Sequence, residues 1–354
     1  MKSNQKFFKK SNFLPVDSFF ENILYDNQFG YYATKQPFGR DGDFITSPKV
    51  SNLFSEIIAI WLINTWENFG KPKKFNFVEL GPGDGSLAKT LLDTFKKFSE
   101  FNSIKKMYLY EKSNYLKKIQ KHKIGDRSVK WIKDFNNIKD GPVIFFGNEF
   151  LDAIPIKQFR KKNGSFFEKN YILNKKFDIE ETYKKASKID SKMLKSYLSI
   201  KDLNFIEFPK LGFQNLKKIT KKILKLKGCI LLIDYGYLKS HNENTLQSVL
   251  NHKKNKLLDN LGKADVTSHI NFELLNEFFK KNNLKTKKIV TQEEFLKSNG
   301  IIERAEILAK KMKFRDQSDL YLRLKRLLHP KLMGNLFKVA LAYNCKNKNF
   351  NGFN

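Results

Sequence analysis

Glu79, followed by Gly81, Gly83 and Gly85, marks the stretch of this chain whose residue types and spacing speak most directly of chemistry. The stretch is FNFVELGPGDGS, from Phe75 to Ser86. Phe75, Phe77, Val78 and Leu80 are strand formers, and Leu87, Leu91 and Leu92 beyond them fall at helical spacing. The three glycines, with Pro82 among them, therefore belong to a tight strand-to-helix turn, where missing side chains let a ligand approach the backbone. The acid ahead of the turn disfavours a pyrophosphate. Glu79 would repel phosphate, and it suits a cation such as the amino group and sulfonium side of S-adenosylmethionine. The competing reading is a Gly-rich turn that binds nothing.

Spacing separates two kinds of nucleotide loop. A dinucleotide fingerprint is G-x-G-x-x-G, whereas this turn is G-x-G-x-G with an acid two residues upstream, the form of the first motif of class I S-adenosylmethionine-dependent methyltransferases. Other polar residues follow later strands. Glu111 closes a second strand, where a carboxylate can take both ribose hydroxyls of an adenosyl group; an exposed strand-end acid is the alternative. Asp134, after a third strand, is placed to meet an adenine amino group with Phe135 on the ring, or else is a solvated turn acid. The fourth strand ends in NEFLDAIPI, with Asn148, Glu149 and Asp152. Carboxylates at a pocket mouth receive a guanidinium in fork geometry, and pre-aimed carboxylates stabilise the positive charge that grows on a methylated acceptor. The remaining chemistry is in-line positioning. Capping of the next helix is the competing role for Asn148 and Asp152. Asp234 and Tyr235 end a fifth strand on the same rim, and ADVTSHI carries Asp265, Thr267 and His269. The five His are dispersed without an H-x-x-x-H pair, so no metal site is expected.

Strands and helices must position these groups. Residues 1–29 read as a frayed start and a helix capped by Asp17, and Gly30–Pro48 as a functional loop dense in Gly, Pro and aromatics. Ser51–Phe69 is a helix apolar on nearly every side and hence buried, with Ser47 or Ser51 as cap. Strands at 75–80, 106–110, 129–133 and 141–148 alternate with helices, which indicates a mostly parallel sheet. Residues 156–211 read as an antiparallel insertion and 236–270 as a second insertion. A Lys-rich helix at 212–227 precedes the fifth strand, 229–234. A helix at 271–283, a strand at 286–291, helical patterns at 293–298 and 303–328, and a last strand at 336–343 complete the chain. The expected fold class is α/β: a Rossmann-like, seven-stranded class I methyltransferase sheet with helices on both faces. Residues 1–72 form an N-terminal helical and loop cap, and residues 73–354 the methyltransferase domain with its two insertions.

Composition bounds the partners. The 354 residues, 41% hydrophobic with 34 Phe, suffice for a sizeable core and exclude a disordered chain. The formal charge of +31 would suit an anionic partner, yet the basic residues are nearly all Lys, scattered, and not interleaved with aromatics. Nucleic-acid binding is therefore not expected. Two distant cysteines, Cys229 and Cys345, exclude a disulfide scaffold and fit a reducing compartment. The longest apolar run, Ile57–Ile63, is too short to span a membrane. The basic N-terminus lacks the apolar core of a secretory signal, while a Lys-rich organellar leader stays open.

The words GYYATKQPFGRDGDFITSP, VELGPGDGSL, NEFLDAIP, LLIDYGY, ADVTSHI, TQEEFL and GNLFKVA, in that order, together resemble the arginine methyltransferase family that includes the mitochondrial complex I assembly factor. The resemblance runs from residue 30 to about residue 343. It implies a seven-stranded class I methyltransferase, S-adenosylmethionine as cofactor, and a protein arginine as acceptor. The mitochondrial member symmetrically dimethylates an arginine in a subunit of respiratory NADH dehydrogenase. Carried over by residue, Gly81, Pro82, Gly83 and Gly85 match the cofactor loop and Glu111 the ribose acid. Asp43, Thr46 and Ser47 match the segment lying over the cofactor. Asn148, Glu149 and Asp152 match the acceptor side, with Phe38, Asp234, Tyr235, Asp265 and His269 as substrate-binding candidates. WIKDF matches no word of the family, so Asp134 rests on its position alone. Location follows the branch: cytoplasmic for a bacterial-type member, mitochondrial matrix for a eukaryotic one. A non-catalytic cofactor-binding assembly factor remains an alternative. A nucleic-acid methyltransferase is disfavoured, because base-amino methylation uses Asn-Pro-Pro-Tyr where this chain has Asn-Glu-Phe-Leu.

Overall fold

The computed structural model describes residues 4–9, 11–34 and 46–353. Among these residues, contacts separate into two compact units. One comprises Met1–Phe44, Leu151–Lys217 and Tyr237–Phe278, and the other Ile45–Phe150, Lys218–Gly236 and Phe279–Asn354.

The second unit is built on a twisted sheet whose strands in chain order are β1 (Phe75–Leu80), β2 (Lys105–Tyr110), β3 (Lys130–Ile132), β4 (Val143–Asn148), β5 (Gly228–Tyr237), β6 (Lys285–Thr286), β7 (Val290–Thr291) and β8 (Phe337–Asn344). The path across it, β6-β8-β5-β4-β1-β2-β3, holds seven strands, the number expected from sequence, and β7 also pairs with β8. β1 runs parallel to both β2 and β4, so the order reverses between β1 and β4. β8 is antiparallel to β5 from Gly228↔Asn344 to Tyr235↔Phe337. All six residues of β1 and the first five of β4 are buried. A strand apolar on both faces needs cover on both, which is why neither shows the alternation of a half-exposed strand.

Helix α1 (Asn52–Asn68) starts at Ser51, whose hydroxyl accepts a hydrogen bond from Leu53 N at 3.2 Å. That cap, one of the two candidates, satisfies an amide the helix cannot. α1 packs beside α2 (Ser86–Phe95), and Trp61, Phe54, Phe75, Phe77, Phe95 and Phe101 join one continuous core. Phe77 is fully buried, with the rings of Phe75 and Phe101 centred 5.0 and 5.1 Å away.

The first unit carries an antiparallel sheet of Phe13–Pro15, Ser165–Leu173, Lys157–Lys162 and Phe205–Phe208, with Ile179–Lys185 also on the long strand. A three-stranded sheet of Lys253–Asn255, Gln247–Leu250 and Asp265–Thr267 accompanies it. Its core gathers Phe7, Phe8, Phe19, Phe20, Tyr31 and Tyr171.

Three local expectations change. Pro15, not Asp17, holds the cap position of the helix Val16–Tyr25; Asp17 lies in the first turn, with Oδ1 accepting Ser18 N at 2.8 Å. The strand expected at 286–291 is broken in two, because three residues after Thr286 oppose two on β8 before pairing resumes at Val290↔Val339. The helical pattern at 303–328 divides into Ile301–Ala309 and Phe314–Leu328, where Gln317 Nε2 donates to the carbonyls of Ala309 and Met312 at 3.0 and 3.1 Å.

All three tryptophans, Trp61, Trp66 and Trp131, lie in the second unit, so their fluorescence reports its unfolding. Phe77→Ala should lower that unit's stability by about 3–5 kcal/mol in a urea titration followed by tryptophan emission, the range for emptying a fully packed aromatic site.

Candidate active site

The glycine turn leaves β1 at its carboxyl end. Gly81 N donates to Tyr110 O at 3.0 Å, extending the β1–β2 ladder by one bond before the chain turns. Gly81 has φ +63°, and a Cβ there would stand 2.9 Å from Phe150 Cδ2. Gly85 N closes the turn on Pro82 O at 2.8 Å and leads into α2. Between them Asp84 is buried; Lys49 lies 2.6 Å and Lys123 2.5 Å from Oδ2. Burial alone would raise the Asp84 carboxyl. The two ammonium groups outweigh it and hold the pKa below the ordinary value.

Among the described residues Glu79 has no such partner. It is 2% exposed, and its Oε2 is buried without a hydrogen bond. Burial first, then the charges of Asp84 and Glu111, push its carboxyl up to about 8. Glu111, just beyond β2, is better held. Its Oε1 accepts Ser113 N at 2.7 Å and its Oε2 accepts Gln120 Nε2 at 3.0 Å, while burial still leaves the pKa raised.

The end of β4, beside β1, supplies the other wall. Asn148 Nδ2 donates to Glu149 Oε1 at 2.9 Å, while Asn148 Oδ1 is buried without a hydrogen bond among the described residues. Glu149 has φ +50°, the left-handed region that a non-glycine residue occupies only when its surroundings compel it. Those surroundings are explicit. Glu149 N donates to Ile233 O at 2.9 Å, Ser47 N donates to Glu149 Oε1 at 3.2 Å, and Phe150 N donates to Asp234 Oδ2 at 3.1 Å. Ser47 is itself fixed, its hydroxyl donating to Gln292 Oε1 at 3.2 Å.

Two orphaned acceptors, Glu79 Oε2 and Asn148 Oδ1, thus stand at the carboxyl ends of adjacent strands where the sheet order reverses, the position at which open α/β sheets bind ligands. Buried acceptors without donors call for a ligand that brings N–H groups. A cationic amino group meets that requirement at Glu79 and a phosphate does not, so these residues fit S-adenosylmethionine. Comparison with known proteins agrees. Residues 57–290 match the family model described as "Putative S-adenosyl-L-methionine-dependent methyltransferase". The chain belongs to this family. It is 30% identical over 319 residues to the mitochondrial protein arginine methyltransferase NDUFAF7 homolog of Caenorhabditis elegans, covering 82% of this chain and 74% of that one. It is 25% identical over 358 residues to the mitochondrial protein arginine methyltransferase NDUFAF7 of Homo sapiens, covering 93% and 80%. A crystal structure from Burkholderia thailandensis bound to S-adenosyl-homocysteine shares the fold, with TM-score 0.80 at 20% identity over 97% of this chain and 89% of that one.

In this methyltransferase the remaining candidates fall in several places. Phe38 and Asp43 lie outside the described residues. Thr46 begins the short helix Ser47–Val50, its carbonyl accepting Lys49 N and Val50 N at 2.9 and 3.0 Å. Asp134 is exposed, with Oδ1 accepting Asn136 N at 2.7 Å, and Phe135 packs between Tyr110 and Phe145. Tyr235 is buried edge-on against Phe337. In the first unit, Asp152 and Asp265 are both buried; Tyr32 OH donates to Asp265, 3.2 Å from each oxygen, and both charges raise the Tyr32 pKa beyond what burial does. His269 lines an apolar cleft of that unit with Ile154, Phe213 and Leu275, and burial followed by His241 lowers its pKa. Sequence reasoning missed Lys49, Gln120, Lys123 and Gln292, which fix the turn acids and Ser47. Among the described residues no cluster of three or more His, Cys, Asp or Glu could hold a metal.

Glu79 binds its proton more tightly folded than unfolded, so its contribution to stability is full below the unfolded pKa near 4.5 and is lost as pH rises through about 8. Glu79→Gln should therefore raise the ligand-free melting temperature at pH 8.5 by about 2–4 °C. Differential scanning calorimetry should show the gain shrinking toward pH 6.

Proposed function

We propose that this methyltransferase moves the methyl group of S-adenosylmethionine onto the guanidinium of a protein arginine. The observation that carries the reading is the unfilled acceptor Asn148 Oδ1 beside the strained Glu149, an acidic, hydrogen-bond-accepting rim suited to a ligand with N–H donors. The names of the two sequence relatives cited above, both protein arginine methyltransferases, support the same class. Glu79 takes the cofactor's amino group, Glu111 its ribose hydroxyls, and Gly81, Pro82, Gly83 and Gly85 let its backbone-facing side approach. By the family resemblance Asp43, Thr46 and Ser47 are assigned to the cofactor, and by its position Asp134 to the base edge. Bound there, the cofactor supplies an electrophilic methyl on a sulfonium.

The chain's own residues then do two things. Asn148 and Glu149 orient the acceptor nitrogen and receive the positive charge that grows on it, without having to reorganise. Asp234 performs a backbone task, clamping Phe150 N and so holding Glu149 in place. By the family resemblance Asp152, Asp265 and His269 of the first unit are assigned to the acceptor protein, and separately so are Tyr235 of the second unit and Phe38, which lies outside the described residues. By the family resemblance that acceptor is a subunit of respiratory complex I or its homologue, symmetrically dimethylated. The mitochondrial names of the relatives favour the matrix for a eukaryotic member. A non-catalytic assembly factor would need no strained acid at the methyl-receiving rim, which favours the enzyme.

Transfer of labelled methyl to purified complex I subunits tests this. Glu149→Gln and Asp152→Asn should each lower the rate by about a hundredfold, with S-adenosylhomocysteine affinity kept within about threefold. Undiminished labelling would remove both residues from the acceptor site. Because a bound ammonium favours ionised Glu79, calorimetric affinity for S-adenosylhomocysteine should rise between pH 6 and 8 by up to about tenfold per unit, then flatten. Glu79→Gln should abolish that slope.

A further inference from the structure

Gln120 stands out as a buried polar residue in an apolar stripe. On helix α3 (Asn114–Ile124), Leu116, Gln120 and Ile124 form the buried face, and Gln120 is fully buried. A glutamine at that position must satisfy its amide inside the protein, and it does so completely. Its Nε2 donates to Gly83 O at 2.8 Å and to Glu111 Oε2 at 3.0 Å, while its Oε1 accepts the indole Nε1 of Trp131 at 2.9 Å. The amide can point only one way, since an indole N–H only donates and a carbonyl and a carboxylate only accept.

We infer that Gln120 is a positioning residue for the cofactor, one that sets the ribose-binding carboxylate of Glu111 and the backbone of the glycine turn in register with each other, with Trp131 holding its far end. The inference rests on the assignment of Glu111 to the ribose made above. A single amide spans the two parts of the chain that meet the nucleoside, the Gly83 peptide after β1 and the Glu111 carboxylate after β2. Glu111 has its second oxygen on Ser113 N, so only the Gln120 contact ties it across to the turn among the hydrogen bonds described. Without that tie the carboxylate keeps a local anchor within its own loop and loses its registration with the turn. The indole matters because it fixes which amide atom faces the ligand side. Trp131 lies on β3, the outer neighbour of β2.

The test is calorimetric binding of S-adenosylhomocysteine and of its 2′,3′-dideoxyribose analogue to the full-length protein. Gln120→Met should weaken S-adenosylhomocysteine by about tenfold and the dideoxy analogue by less than about twofold. Glu111→Gln should show the same selectivity, and the double variant should bind no more weakly than Glu111→Gln alone, the non-additivity of one residue acting through another. Trp131→Phe keeps the ring and removes only the N–H; it should give about a threefold, equally ribose-selective loss, and it serves if Gln120→Met folds poorly. Equal losses toward both ligands, or additive losses in the double variant, would reduce Gln120 to a structural residue and overturn the inference. If Glu111→Gln is itself silent, the ribose assignment falls and this inference with it. If Glu111→Gln is selective while Gln120→Met and Trp131→Phe are silent, only the inference falls.

Discussion

The second unit depends on a carboxylate held where it is hard to hold. Glu79 ends a strand buried on both faces, between parallel neighbours, with one oxygen unbonded and two other acids nearby. An isolated ionised carboxyl in such surroundings is strongly disfavoured, and proteins respond by neutralising it. Burial therefore favours the proton-bound form of Glu79, and an ammonium placed beside it would favour the anion. The arrangement around it follows. Asp84 is kept ionised by Lys49 and Lys123 and turned away into ion pairs, and Glu111 is kept in hydrogen bonds. The three acids can lie near one another because Asp84 is matched by two ammonium groups, Glu111 is held by hydrogen bonds, and burial disfavours a charge on Glu79.

The same logic governs the neighbouring strand end by different means. At Glu149 the constraint is conformational, not electrostatic. A left-handed backbone at a non-glycine residue costs about 1 kcal/mol or more, and here it is imposed by bonds from both sides of the residue, Glu149 N to Ile233 O and Phe150 N to Asp234 Oδ2. Asp234, read in sequence as a rim acid, is 1% exposed and spends its oxygens on Phe150 N and on its own neighbour Tyr235 N. An acid at a strand end can look the same in sequence whether it faces a ligand or a backbone amide. Only the fold distinguishes them.

That difference describes what was legible in the chain. The strands, the glycine turn and the position of Glu111 follow from periodicity and turn chemistry, which are local, and the structure places them as read apart from the strand at 286–291, which a bulge against β8 divides. The residues that hold the site are not local. Gln120 lies 37 positions from Gly83, and Ser47 is bonded to Glu149 and Gln292 across 102 and 245 positions. No spacing rule reaches such pairs. Gln120 did leave a trace, being the one polar residue in the Leu116–Ile124 stripe, and a polar residue at a buried helical position is a signal worth following. Asp17 misled for the opposite reason: an acid near a helix start suits the cap or the first turn, and Pro15, pre-set for the position before the helix, took the cap.

The net charge poses a last constraint. At +31 the chain as a whole repels a cationic ligand. Between exposed charges that repulsion is screened over about 8–10 Å at physiological salt, whereas buried groups are screened far less. The acids of the site are buried, Glu79 at 2%, Asp84 at 4% and Glu111 at 9% exposure, while most of the lysines lie on solvated surface. A short-range acidic site inside a basic shell therefore prevails at contact distance, and the shell acts on the approach. It follows that the surplus lysines do not argue against a cationic ligand. They argue that affinity here must come from desolvated contacts, which is what a buried, unbonded carboxylate oxygen provides.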